Sequence, residues 1–203
     1  GRAGRDGGEG YCLAFYAYKD IEKLEKFLSN KPIAEQEIGN ALLQEVVAYS
    51  ETSISRRKFL LHYFGEEFDD VTGDGADMDD NVRNPKTKVE PKDNVQKLLQ
   101  VVKNTKEEYR SKEIINTLIG KENALLISHK TNKQEFFGIG NDKDDKYWMA
   151  LIRQVFVTNL LFKEIEQYGV LKMSPAGLDF IDHPESFMMT EDHIYAEGDD
   201  SGI

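Results

Sequence analysis

The chain has 203 residues, 39% of them hydrophobic, and sets 26 Lys and Arg against 37 Asp and Glu for a formal charge of −11. That is enough apolar material for one large packed domain or two small ones, and the lack of any run of about eighteen apolar residues argues against a membrane-spanning helix, so no membrane partner is expected. One cysteine, Cys12, excludes an internal disulfide and a multi-cysteine zinc site; with a Gly- and Arg-rich start and no apolar leader block, a cytoplasmic protein is the expectation.

An acidic chain argues against a nucleic-acid partner, but the surplus is uneven. Between Pro91 and His183 there are fourteen Lys and Arg against thirteen Asp and Glu, close to neutral. Much of the excess acid sits in residues 66–80 and from Glu185 onward, so a local basic face remains compatible with the charge.

Residues 1–10, GRAGRDGGEG, have no apolar period and read as loop. The run from Tyr11 to Tyr16 is short, apolar and aromatic-rich. It reads as a buried strand whose neighbours belong to a longer protein, because a lone strand cannot satisfy its backbone groups. Asp20 is placed to cap a helix carrying Ile21, Leu24, Phe27 and Leu28. A second helix carries Ile38, Leu42, Leu43, Val46, Val47 and Tyr49. A third, from Ser53 or Ser55, carries Phe59, Leu60, Tyr63 and Phe64 and stops at Gly65. The three predict an antiparallel helical unit. Residues 66–88 are acidic and aperiodic and read as a solvated loop and linker. Asp70, Thr72, Asp74 and Gly75 match the first half of a calcium-binding loop, but Asn81 stands where the bidentate Glu belongs, and the solvated loop is the preferred reading.

Further along, Val95, Leu98, Leu99 and Val102 form one helical stripe, and Ile114, Ile115, Leu118 and Ile119 a second that starts at Ser111 and ends at Gly120. After the turn-rich stretch Gly138–Asp142, a helix from Asp144 or Asp145 carries Trp148, Leu151, Ile152, Val155 and Phe156, with Trp148 read as core. Two β-like runs, 161–165 and 170–173, joined through Gly169, predict a hairpin. Pro175 opens a last helix carrying Leu178, Phe180 and Ile181. Three helices followed by a hairpin is the order of a winged helix, a helix-turn-helix variant. The expected fold class is therefore mainly α with a small α+β part. From Pro184 the chain reads as a loose acidic tail. The four histidines lack ligand spacing, and no phosphate-cradling G-x-x-x-x-G-K-[ST] segment is present.

Several separated segments resemble RecQ-family ATP-dependent DNA helicases. GRAGRDG at 1–7 is similar to their sixth helicase motif, Ser55–Glu66 to the segment that opens their zinc-binding subdomain, and Asp80-Asn81-Val82 with Pro85-Lys86 to the segment that closes it. Phe137-Gly138-Ile139-Gly140, Asp142-Lys143, Trp148 and Leu151–Gln154 are similar to the winged-helix domain called RQC. The resemblance implies the last strand of the motor in 1–18, a zinc-type helical subdomain in 19–90, an RQC winged helix in 91–183 and a tail in 184–203. It implies Arg2 and Arg5 as arginine fingers toward ATP, whose binding with Mg belongs to the full-length parent and not to this chain. A nucleoid-associated location and 3′-to-5′ unwinding are implied likewise.

One departure stands out. The family's four zinc-binding cysteines correspond to Ser55, Ala76, Asp79 and Val82, which make no thiolate site, so no zinc is expected and apolar packing is expected to hold the helical pair. For DNA, the candidates are Lys112, Lys143, Lys146, Arg153, Lys163, Lys172, Arg56 and Arg57 as phosphate contacts and Tyr168 as an aromatic near the hairpin tip, where relatives are proposed to separate base pairs. Arg153 could equally pair with a carboxylate, and Arg56 and Arg57 with acids on the helical surface. The expected function is recognition of duplex, forked or junction DNA in repair, recombination or replication. The alternatives are an acidic winged helix that docks repair or replication proteins, and a free-standing winged-helix regulator.

Overall fold

The computed structural model describes residues 7–8, 10–164, 167 and 169–191. Two compact units are present, residues 1–50 and 51–203.

In the first unit, residues 10–17 form no strand, and Tyr11, Leu13 and Phe15 are largely exposed. This corrects the buried strand expected at 11–16: a strand exists only through a ladder, and no partner strand is found among the described residues of this unit. Helix α1 (Tyr18–Leu28) starts two residues ahead of Asp20, which sits in its first turn and pairs with Lys23 instead of capping. Helix α2 (Ile33–Glu51) follows after a turn in which Gln36 donates to the Ser29 and Lys31 carbonyls. The Leu28 side chain lies over Gly39 of α2, where a Cβ would come within 2.7 Å of it.

The second unit opens with α3 (Arg56–Tyr63), capped by Ser55, which accepts from the Lys58 amide. Gly65, at φ +79°, ends it in the left-handed conformation that glycine adopts without strain. Residues 66–79 are folded into turns and lead to a one-turn helix α4 (Asp80–Arg83) and a two-residue strand β1 (Lys88–Val89). Then come α5 (Lys92–Asn104), α6 (Ser111–Ile119), a short α7 (Ala124–Ser128), a 3-10 turn at Thr131–Lys133 and α8 (Asp145–Val157). Strands β2 (Leu161–Glu164) and β3 (Val170–Met173) pair antiparallel with Leu161 opposite Met173 and Glu164 opposite Val170. A bridge from Arg110 to Val170 adds a third edge to this wing. Helix α9 (Pro175–Asp182) starts at Pro175 with Ser174 as its cap, and β4 (Met189–Thr190) returns to pair with β1.

The order of α5, α6, α8 and the β2–β3 hairpin is that of a winged helix, and the molecule is mainly α with a small β part. The periodic positions form one core: Val95, Leu98, Leu99, Ile114, Leu118, Trp148, Leu151, Leu161 and Leu171 have almost no exposed surface. Phe187 and Met189 are buried in the same core, so the chain as far as β4 is part of the packed body and not of the loose tail expected from residue 184. Helix α3 packs on α8 within the second unit.

The Phe137–Gly140 segment and Trp148 are physically one feature. The Gly138 and Gly140 amides donate to the Thr117 and Leu118 carbonyls, laying the loop across the end of α6. Gly138 (φ +83°) faces Gly120 (φ +76°) so closely that a Cβ on Gly120 would meet the Gly138 Cα at 3.3 Å. Trp148, fully buried, donates its indole N–H to the Gly140 carbonyl at 2.9 Å. A Cβ on Gly140 would lie 2.4 Å from the indole ring. Gly140→Ala is therefore expected to lose about 1–3 kcal/mol of stability through overpacking, with urea melts as the check. An unchanged midpoint would contradict the close approach.

Candidate nucleic-acid interface

Helix α8 occupies the position of a recognition helix, but it has no free face. From Trp148 to Val155, all but Met149, which is half-buried, are buried. One side meets the core. On another, Gln154 clamps β4, donating to the Thr190 carbonyl at 2.7 Å and accepting from the Thr190 amide at 2.9 Å. Arg153, 6% exposed, faces Glu51 at 3.6 Å. An arginine enclosed in this way does not reach a phosphate at the surface, which takes Arg153 out of the DNA-facing set. Its position on the helix, i+5 from Trp148, falls off the apolar stripe, and only the packing of residues 51–63 on α8 explains its burial.

At the start of α8, Lys143 and Lys146 are exposed, but Asp142, Asp144 and Asp145 alternate with them. Asp144 caps the helix, accepting from the Tyr147 amide at 2.8 Å, so the attraction of this N-terminus for phosphate is already met by a carboxylate. The Lys143 ammonium lies 5.3 Å from the centre of the Tyr147 ring. Burial raises the Tyr147 phenol above its usual value, and the Asn94 amide donates to its oxygen at 2.8 Å.

The start of α6 differs. Arg110 precedes it as the N-cap residue, and its guanidinium, with no lone pair, makes no cap bond to the first-turn amides. Lys112 is exposed in that turn. The Arg110–Val170 bridge sets this helix start beside the wing.

On the wing itself, alternation puts Leu161, Leu171 and Met173 on the inner face. Lys163 shares that face, and its ammonium lies 5.2 Å from the centre of the Phe156 ring. The outer face pairs Phe162, 46% exposed, with Lys172. Phe162 was read from sequence only as part of an apolar run; strict alternation from Leu161 was the signal that turns it outward. Tyr168 lies outside the described residues, as do Arg2 and Arg5. The lysines thus fall into two groups, Lys112 and Lys172 near the wing and Lys143 and Lys146 at the other end of α8, about 20 Å away along a 13-residue helix.

Arg56 and Arg57 point into the 66–84 segment. Arg56 makes a two-pronged bond to Asp80, at 2.5 and 3.0 Å, and this bonding holds the Asp80 carboxyl below the usual carboxylate range. Arg57 donates to the Asp74 carbonyl and stacks over Phe68, and Lys58 pairs with Asp70 at 2.7 Å. The acidic stretch is thus tied to α3 by three consecutive cations, not solvated as a free loop. Asp70, the first residue of the half calcium motif, is committed to Lys58.

Residues 85–197 match the RQC domain family, more than half of the chain, and residues 18–77 match the RecQ zinc-binding family. The chain is 31% identical to a putative ATP-dependent RNA helicase of Acanthamoeba polyphaga mimivirus over 89% of its own length and 35% of the relative's. It is 30% identical to the ATP-dependent DNA helicase RecQ of Haemophilus influenzae over 76% of its length and 25% of the relative's. It is 25% identical to the ATP-dependent helicase SGS1 of Saccharomyces cerevisiae over 89% and 13%. The chain therefore spans about a third or less of these relatives.

The zinc-binding match makes the donor set a direct question. Ala76 and Val82 have no donor atom, and Ser55 offers a hydroxyl. Asp79 accepts at both oxygens: Oδ2 from the Ser55 hydroxyl and the Arg56 amide, each at 3.1 Å, and Oδ1 from the Asn81 and Val82 amides, each at 3.0 Å. Among the described residues no group of three or more His, Cys, Asp or Glu is placed to hold a metal. These residues do not fit zinc. The link between these two segments is polar, an element that the expectation of apolar packing did not include.

His62 on α3 lines a recess with Lys58, Glu66, Glu67, Phe68, Asp69, Val157 and Asn159, and its burial lowers the imidazole below the ordinary value of 6.5. The unfolded chain then takes up the proton more readily, so His62 lowers stability progressively as pH falls from 6.5 toward the depressed folded value, and by a constant amount below it. Between about pH 7.5 and about pH 5, His62→Gln should lose less thermal stability than the wild type, and equal losses would contradict a desolvated imidazole.

Proposed function

The chain belongs to the RecQ helicase family through its RQC domain, and from that premise we propose that its winged helix binds DNA along the wing and the start of α6, not through α8 laid in a groove. The observation that carries this reading is the outer face of the β2–β3 ribbon, where the exposed Phe162 ring sits opposite Lys172. Such a pair offers an unpaired base a surface to stack on and a phosphate a cation. Lys112 and the first-turn amides of α6 add a second phosphate contact beside the ribbon. A helix reads base edges in the major groove through its N-terminal residues, and for that it needs an exposed N-terminal face not already lined with acids. The enclosed α8 lacks one, so recognition is of backbone and of strand junctions, with little preference for sequence. Lys143 and Lys146 serve as an outlying contact, weakened by the three neighbouring aspartates.

In the whole protein, this region assists strand separation by an ATP-dependent DNA helicase, in repair, recombination or replication. ATP, Mg and the roles of Arg2 and Arg5 belong to that larger context, and the chain alone is expected to hydrolyse no ATP. The relatives' names divide between DNA and RNA, so the test includes both.

Binding of the 203-residue chain to forked, duplex and single-stranded DNA and to duplex RNA is to be measured by fluorescence anisotropy over a salt series. Affinity should fall as salt rises and favour the fork. Lys112→Glu and Lys172→Glu should each reduce the salt slope by about 1. Phe162→Ala should weaken fork binding by roughly 5- to 100-fold, the loss of about 1–3 kcal/mol of stacking, while leaving duplex binding nearly unchanged. No salt-dependent binding to any of the four ligands would sink the reading and leave the protein-docking alternative.

A further inference from the structure

We infer that the carboxylate of Asp79 does in this chain what a bound ion does in zinc-binding relatives, joining the start of α3 to the 79–82 segment without metal. The two segments lie more than twenty residues apart in sequence and are cross-linked by six hydrogen bonds. The Ser55 hydroxyl and the Arg56 amide both donate to Asp79 Oδ2. The Arg56 guanidinium donates twice to Asp80. The side-chain amide of Asn81, 4% exposed, donates to the carbonyls of Thr52 and Ile54, each at 2.8 Å.

Asp79 is the centre because it works in both directions. Its Oδ1 closes the turn into α4 through the Asn81 and Val82 amides, and its Oδ2 reaches across to α3. A carboxylate has about four acceptor sites, and all four donors are in place, three of them backbone amides whose positions any rearrangement of the loop would disturb. Charge-assisted bonds of this kind are roughly twice as strong as neutral ones. Ser55 acts in the same double sense: its oxygen caps α3 at the Lys58 amide while its hydrogen goes to Asp79. Ala76, which offers no donor, is buried at 7% exposure. A thiolate site gathers its chain positions around one cation; here the Ser55 hydroxyl and the Arg56, Asn81 and Val82 amides gather around the one anion of Asp79 instead.

The purified chain should contain well under one equivalent of zinc by elemental analysis, and its melting temperature should be unchanged by excess 1,10-phenanthroline or EDTA. Ser55→Ala and Asp79→Ala should each lower that temperature, Asp79→Ala by roughly 4–10 °C. In hydrogen exchange, Asp79→Asn, which keeps the size of the side chain and removes its charge, should speed the amides of Arg56, Asn81 and Val82 while leaving those of α5 and α6 unchanged. One equivalent of zinc, a chelator-dependent melt, or unaltered exchange at those three amides in Asp79→Asn would each overturn the inference.

Discussion

Helix α8 lies between two bodies of structure, and the arrangement of the second unit follows from that burial. The winged-helix core covers one side of its middle turns, and Glu51, α3 and β4 lie against others. Burying a helix all round requires its polar side chains to find internal partners. Gln154 does so with both the donor and the acceptor of Thr190, and Arg153 with Glu51. A helix held in this way is rigid, but it has given up the exposed stripe that would let it enter a groove. Whatever surface the domain presents to a ligand must then come from its edges, the ribbon and the helix starts.

The same packing gives the helical segment 51–84 a structural duty. It is a wall of the winged helix as well as a neighbour in sequence, so its own order matters to the domain beside it. That order comes from charge placed with care. Arg56, Arg57 and Lys58 each engage a different part of the acidic stretch, and Asp79 collects amides. Individually, exposed ion pairs contribute little. Here they act on a segment with few apolar residues, where each bond closes a different turn. The acid that makes the chain so negative overall is therefore partly consumed inside the fold.

Much of this was legible in the residues. Apolar spacing located α5, α6 and α8, Gly120 and Gly65 marked two helix ends, and Pro175 opened α9 where it should. The hairpin was visible from alternation and Gly169. What escaped were elements too short to carry a period: α4, α7 and the two-residue strands β1 and β4. The apolar run at 11–16 misled because composition cannot reveal whether a strand has a neighbour. For Arg153 the sequence left two readings open, and the structure takes the second, a carboxylate partner in Glu51; a helical wheel has no means of reporting that a second body covers the outer side. Of the candidate contacts, Lys112 and Lys172 remain at a surface suited to the task, whereas Arg56 and Arg57 proved to be internal ties. The outward turn of Phe162 was encoded in the alternation from Leu161 but was not drawn from it.

The pairing of β1 with β4 has a mechanical consequence. Lys88 faces Thr190 and Val89 faces Met189, so the chain enters and leaves the winged body at one point, running in opposite directions. Pulled apart at its two ends, such an antiparallel ladder would open from its outer side, beginning with the bond from the Glu191 amide to the Thr87 carbonyl and passing on to Lys88 and Thr190, one bond at a time. Thr190 is held further by the Gln154 side chain and by the Ser53 hydroxyl, which donates to its carbonyl, so the strand is fastened to the body beyond its two rungs.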